Sequence, residues 1–197
     1  MRALKSNAPR LLFKLVQTLA SRHPRATVQS ILLPLLLPAK DGGTSHANAG
    51  VGVGSSQVEL VNRVTKACMQ GEERALLLRA FASGDAADGA HDPAPGSNEQ
   101  DIVLDDTTLP LLHTLLSGDL SPKLNDALFG QLLSAMERAL SKGVVGRNAH
   151  GGREFNPSKS LKFWQVVQKL VTKHAAAARP HTSRLRAMLS SCDTVRK

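Results

Sequence analysis

The chain has no tyrosine and a single tryptophan, and aromatic residues make up only 3% of its 197 positions. Strands draw on aromatic and β-branched side chains, whereas leucine and alanine dominate the apolar set here and favour helices. A sheet-based fold is not expected. Two cysteines, Cys68 and Cys192, cannot assemble a disulfide framework or a zinc site. Both sit among apolar neighbours in helical patterns, where buried inert thiols are expected, and their scarcity suits a reducing compartment. Long apolar runs are missing as well. The longest, ILLPLLLPA from Ile31 to Ala39, is short and interrupted by Pro34 and Pro38, so no bilayer-spanning helix and no membrane role are expected. A secretory signal is not expected either, because Lys14 splits LLFKLV and no small-residue cleavage site follows. Acid is absent from residues 1–40, which carry seven Lys and Arg. That is one trait of a mitochondrial presequence, but Leu12, Leu15, Val16 and Leu19 read as a core stripe instead.

Charge is distributed unevenly along the rest of the chain. Residues 41–141 hold six basic and fourteen acidic residues, and residues 142–197 hold twelve basic and two acidic. Basic ends around an acidic middle point to nucleic-acid contacts, an acidic protein partner, or folding of the ends against the middle.

Eight helical patterns fall into pairs. The first covers about Ala8 to Ser21 and is stopped by His23-Pro24-Arg25. The second, about Ala26 to Leu37, is apolar on nearly every side, with a kink or early end predicted at Pro34. A third starts after Ser55-Ser56, carries Val58, Val61, Val64 and Cys68 on one face, and ends at Gly71. The fourth is EERALLLRAF, its two acids suiting the positive end of its dipole. The fifth spans Thr107 to Leu116. The sixth has Ser121 as N-cap and Pro122 at the first helical position, with Leu124, Leu128, Leu132, Ala135 and Ala139 on one face. The seventh runs from Ser160 through Ala175–Ala178 to Arg179, where Pro180 stops it. Its apolar residues Phe163, Val166, Val167 and Leu170 lie opposite Lys162, Lys169 and Lys173. The eighth carries Leu185, Met188 and Leu189, and CDTVRK reads as the first turn of a ninth. Loops are expected near 38–55, 83–105 and 143–157. The predicted fold is all-α, a single domain of antiparallel helix pairs stacked as a HEAT/armadillo-like curved solenoid, with a compact bundle as the alternative.

Chemical motifs are sparse. GVGVGSS at 50–56 lacks the Lys-Ser/Thr and the preceding strand of a phosphate loop. DGAHDPAPGSNE at 88–99 has Ala90 and Pro93 where a calcium loop needs a ligand and a glycine. The seven histidines, His23, His46, His91, His113, His150, His174 and His181, make no ligand pair, and no nucleophile–base constellation stands out. Neither an enzyme nor a cofactor is expected. The lysine stripe of the seventh helix reads first as a solvated face. Lys159, Arg179, Arg184, Arg186, Arg196 and Lys197 in the same quarter of the chain favour an anionic partner, including a weak nucleic-acid contact, but no aromatics interleave for base stacking.

Segment by segment, the order of elements resembles the C-terminal helical-repeat domain of the Fanconi anaemia group E family. The resemblance is carried by PRLLFKLVQTLASRHP, VQSILLPLLLPA, SSQVELVNRVTKACM, the paired helices of DDTTLPLLHTLLSGDLSPKLNDALFGQLLSAMERALSKGV, and FWQVVQKLVTKHAAAARPHTSRLRAML. It is spread over many weak positions and holds no single diagnostic motif. It implies a non-enzymatic adaptor of the nuclear Fanconi anaemia core complex, which recruits the group D-two substrate and is connected through the group C protein in interstrand-crosslink repair. In the family, a Phe-Leu-Arg-Lys segment at the start of the last helix faces group D-two. Thr194, Val195, Arg196 and Lys197 stand there in this chain; Arg196 and Lys197 match, Val195 is a modest replacement, and Thr194 departs from the bulky aromatic. The candidate partner-binding residues are therefore Arg184, Arg186, Met188, Thr194, Val195, Arg196 and Lys197, with Met188 and Val195 supplying apolar area. A basic nucleic-acid-binding module and an unrelated armadillo-type adaptor are the rival readings.

Overall fold

The structure, a computed structural model, describes residues 10–37, 53–82, 102–118, 124–142 and 155–191. Of these residues 84% are helical and none forms a strand, so the chain is all-α over its described part. The Gly-rich, acidic and third-loop stretches at 38–52, 83–101 and 143–154 lie outside the described residues, as do Ser121, Pro122, Cys192, His46, His91 and His150.

Helix α1 is Arg10–Arg22. It ends because Pro24 pushes His23 out of the helical region, at φ −137° and ψ 65°, and Pro24 then opens the next helix as its first residue. That helix, α2, is composite: Pro24–Thr27, a π-helical stretch Val28–Leu32, then Leu33–Leu36. Pro34 neither ends nor interrupts it. Pro34 has no N–H for the Ser30 carbonyl and its ring crowds that oxygen; widening the preceding turn to the π register accommodates both. Helix α3 is Ser55–Cys68, and its cap is Gly54 rather than the serines: the Gly54 N–H donates to Gln57 Oε1 at 2.9 Å. Met69 adopts an extended conformation, and Gly71 opens the next helix instead of closing this one. Helix α4 is Gly71–Ala82, with Glu72 and Glu73 in its first turn.

The end of the stretch expected to be a loop at 83–105 is in fact packed. Ile102 and Leu104 are buried, and Asp105 and Thr108 cap helix α5, Leu109–Ser117. Asp105 Oδ1 accepts from the backbone N–H groups of Thr107 and Thr108, both at 2.9 Å, while the Asp105 N–H donates to Thr108 Oγ1 at 3.0 Å. Helix α6 is Asp126–Lys142. It starts later than the Ser-Pro pair suggested, because Asn125 is the cap, its Oδ1 accepting from the Leu128 N–H at 2.9 Å. Phe155 and Pro157, expected in a loop, are buried around a short 3-10 turn, Pro157–Lys159.

Helix α7 is Leu161–Lys173, capped by Ser160. It breaks at His174 rather than at Pro180. A short α8, Ala175–Ala178, follows, then a 3-10 turn Arg179–His181, and α9, Thr182–Ser190. Pro180 is tolerated near the start of that 3-10 turn, where a missing N–H costs nothing.

The helices pack in two rows. In one, α1 lies on α3, α3 on α5 and α5 on α7; in the other, α2 lies on α4, α4 on α6 and α6 on α8. One apolar cluster runs through both, from Val16 to Met188. The most enclosed element is α5, where Leu109, Leu111, Leu112, Leu115 and Leu116 are all essentially inaccessible. Each such leucine contributes about 1.5–3 kcal/mol by leaving water. Helix α6 buries Leu128, Leu132, Ala135 and Ala139 of the expected face, with Leu124 buried just ahead of the helix, and adds Phe129, Leu133 and Met136. On α1 the expected core stripe is half wrong. Val16 and Ala20 face inward, while Leu15 and Leu19 face out.

Candidate partner-binding surface

The C-terminal candidates do not share one exposed patch. Arg184, on α9, is engaged inside the molecule. Its Nε donates to Glu137 Oε1 at 3.1 Å, and its Nη2 to Glu137 Oε2 and, at 2.8 Å, to Ser134 Oγ. The pair is about a third exposed on each side, so it ties α9 to α6 and contributes about 0–1 kcal/mol after screening. Met188 is 3% exposed. It belongs to the core and does not offer the apolar area expected of it, because α9 turns Met188 toward the preceding helices and leaves Leu189 outside. Arg186 is exposed. Thr194, Val195, Arg196 and Lys197 lie outside the described residues.

The lysine face of α7 is placed as read. Phe163, Val166, Val167 and Leu170 are buried, and Lys162, Gln165, Thr172 and Lys173 are exposed on the other side, with Lys169 half-buried. Lys162 is partly neutralised by Asp106, with Nζ 3.6 Å from Oδ1 and both side chains mostly exposed. Trp164 sits between the two faces. Its ring packs edge-on to Phe163, and its indole N–H donates to the Ser158 carbonyl at 3.1 Å. Asn156 holds that carbonyl's segment in place, its Oδ1 accepting from the Ser158 N–H and hydroxyl.

Two histidines flank α8. His174 closes α7, with Nε2 buried and lacking a hydrogen-bond partner. Burial, and then the neighbouring Lys173 charge, lower its pKa below the ordinary histidine value, so the neutral imidazole is favoured. His181 stacks on Phe129 with ring centroids 5.4 Å apart, over Gly130, where an added Cβ would come within 3.2 Å of the imidazole.

Sequence reading passed over one cleft. It is open, about 380 Å³ in volume, and lined by Lys66, Arg74, His113, Thr114, Ser117 and Gly118. Arg74 comes from the first turn of α4 and reaches across the ends of two other helices. Its Nε donates to the Met69 carbonyl at 2.9 Å, Nη2 to Thr65 at 3.4 Å and Nη1 to Thr114 at 3.2 Å. Those carbonyls belong to the C-terminal ends of α3 and α5, which carry partial negative charge, and the Thr65 carbonyl also accepts from the Met69 N–H at 3.2 Å. The cation is thus committed to the fold. The Ser117 hydroxyl donates to the His113 carbonyl at 2.7 Å. Among the described residues no three His, Cys, Asp or Glu side chains gather as a metal-ligand set. No described helix is long and apolar enough to cross a membrane.

The second surface missed lies on α1. Leu11, Leu15 and Leu19 are 80%, 57% and 36% exposed, and Arg10, Lys14 and Arg22 are exposed beside them. The helical spacing was readable, but not which side of α1 turns outward.

No family model matches the chain, and neither a curated protein nor a solved structure matches it.

Proposed function

We propose that the chain is a non-enzymatic adaptor, a HEAT/armadillo-like curved solenoid of antiparallel helix pairs that presents helix surfaces to protein partners. The observation that carries this reading is the two-row packing, α1–α3–α5–α7 beside α2–α4–α6–α8. Such an order, in which each helix pair rests on the pair before and after it, is what an array of repeats produces. The resemblance to the Fanconi anaemia group E domain supplies the partners. In this reading the chain works in the nuclear core complex, binds the group D-two substrate for its monoubiquitination in crosslink repair, and is connected through the group C protein. Arg186 and the segment Thr194–Lys197 form the group D-two contact, with Val195 its apolar anchor. Met188 and Arg184 support that contact from inside the fold.

The test is binding of the full chain to the group D-two and group C proteins of the same source. Val195→Asp with Arg196→Ala abolishes group D-two binding, while Lys162→Gln, Lys169→Gln and Lys173→Gln together leave it within about threefold. The converse result assigns the grip to α7. Failure of the native chain to bind either protein removes the family reading.

A basic nucleic-acid module is favoured by one observation, the exposed Lys162 and Lys173 with half-buried Lys169 on one face of α7. It requires DNA affinity that falls steeply with salt and drops in the triple glutamine variant.

A further inference from the structure

We propose that the outer face of α1 is a docking surface for an acidic amphipathic helix of a partner protein, independent of the C-terminal contact and of the identity assigned above. The helix period sorts Arg10–Arg22 into four rows. Residues 12, 16 and 20 form the inward row: Leu12 is half-buried, and Val16 and Ala20 are buried. Phe13, Gln17 and Ser21 form the side row, where Ser21 Oγ and the Gln17 carbonyl meet Cys68 Sγ of α3 at 3.5 and 3.7 Å. The remaining two rows face away from the body. One is Leu11, Leu15 and Leu19. The other is Arg10, Lys14, Thr18 and Arg22, all exposed.

An apolar row therefore lies beside a cationic row, over about 12 Å of helix axis. No acid occurs between residues 1 and 40, and Arg10, Lys14, Arg22 and Arg25 make no ion pair among the described residues. Helix α1 is also the end of its packing row, with α3 on one side and no described helix on the other. Three leucines in register are thus exposed on a face that no described helix covers.

The chemistry selects the occupant. A ridge of side chains four residues apart fits the groove of another helix. The adjacent cations call for acids on that helix. A second copy of this face brings cations against cations, which opposes self-pairing. The chain's own acidic stretch 83–101 offers five acids but no apolar side chain larger than alanine or proline, so it cannot match the leucines. A lipid surface is a poor fit because the exposed large apolar side chains among the described residues include no aromatic to anchor at the interface.

The experiment uses the full chain and a synthetic lactam-stapled helix bearing leucine every fourth position and glutamate in the adjacent row. Binding is followed by fluorescence anisotropy at low and high salt. Saturable, salt-weakened binding is expected. Leu11→Asp with Leu15→Asp weakens it by at least about tenfold, and Lys14→Glu with Arg22→Glu by about three- to tenfold. The charge-reversed chain regains affinity for a peptide with lysine in place of glutamate. All four positions are exposed, so the variants keep the native melting profile, checked by circular dichroism. Absence of peptide binding, or binding indifferent to the leucine substitutions, overturns the proposal. So does binding to phosphatidylserine vesicles, or a concentration-dependent dimer, that the same variants abolish while the peptide fails to bind.

Discussion

Removing the Arg74 guanidinium tests whether the helix ends are held as the hydrogen bonds indicate. Three carbonyls, Thr65, Met69 and Thr114, accept from this one side chain, tying α3 and α5 to the start of α4. A hydrogen bond from a charged donor contributes about 1.5–3 kcal/mol, but the longest here is 3.4 Å and the cleft is open to water, which takes over part of the role. Arg74→Ala is therefore expected to cost about 2–3 kcal/mol. For a chain of this length that corresponds to a fall of roughly 4–12 °C in melting temperature. Arg74→Lys recovers little, because an ammonium cannot span three divergent carbonyls as the guanidinium fork does. Gly118 supplies an internal control. A Cβ there would stand 1.6 Å from Arg74 Nη1, while the backbone, at φ −77° and ψ 171°, accepts alanine without strain. Gly118→Ala should displace the guanidinium and destabilise the native protein by about 1–2 kcal/mol, yet be nearly silent in the Arg74→Ala background. Urea unfolding of the four proteins measures the coupling. Additive losses, or an Arg74→Ala cost under about 0.5 kcal/mol, refute the argument.

Asp105→Ala removes the acceptor for two backbone N–H groups at the start of α5 and is expected to cost about 1–2 kcal/mol in urea unfolding; Asp105→Asn should retain at least half of that. Trp164→Phe keeps the packing on Phe163 but leaves the Ser158 carbonyl without its donor, for an expected loss of about 1 kcal/mol, and Trp164→Ala should lose about 2–3; no loss in Trp164→Phe would mean the indole N–H contributes nothing. His174 has a folded-state pKa below its unfolded value, so as pH falls below about 6.5 the unfolded chain takes up the proton first and stability drops. Melting temperature should therefore decline from pH 8 toward about pH 5.5, and decline less in His174→Gln; parallel declines in the two proteins would exclude His174 as a source.

Periodic patterns were legible where a single face is buried. The Leu128–Ala139 face of α6 and the Phe163–Leu170 face of α7 follow directly from helical spacing, because each has one apolar side and one polar side. Local signals failed where several residues compete for one role. Ser121-Pro122 and Asn125 both offer a helix start, and Gly54 with Gln57 displaces Ser55 and Ser56 as the cap of α3. Asp105 was hidden in a run of acids, since its side chain differs from its neighbours only in where Thr107 and Thr108 place their N–H groups. Met188 and Leu189 are adjacent and equally apolar, and only packing against the preceding helices distinguishes the buried one from the exposed one.

Composition and spacing together determined the helical class of the described residues: leucine and alanine in abundance, 3% aromatics, and repeated 3.6-residue apolar spacing favour helices over a sheet. What only the tertiary structure decided is which sides of those helices face one another. On α1 the more hydrophobic row, Leu11–Leu15–Leu19, stayed outside, and the row ending in Val16 and Ala20 went in. Close packing at an interface depends on the shape of both partners, which the periodicity of one helix does not contain. The same holds for Arg74, whose three acceptors lie on the ends of other helices and come within reach only once those helices have packed.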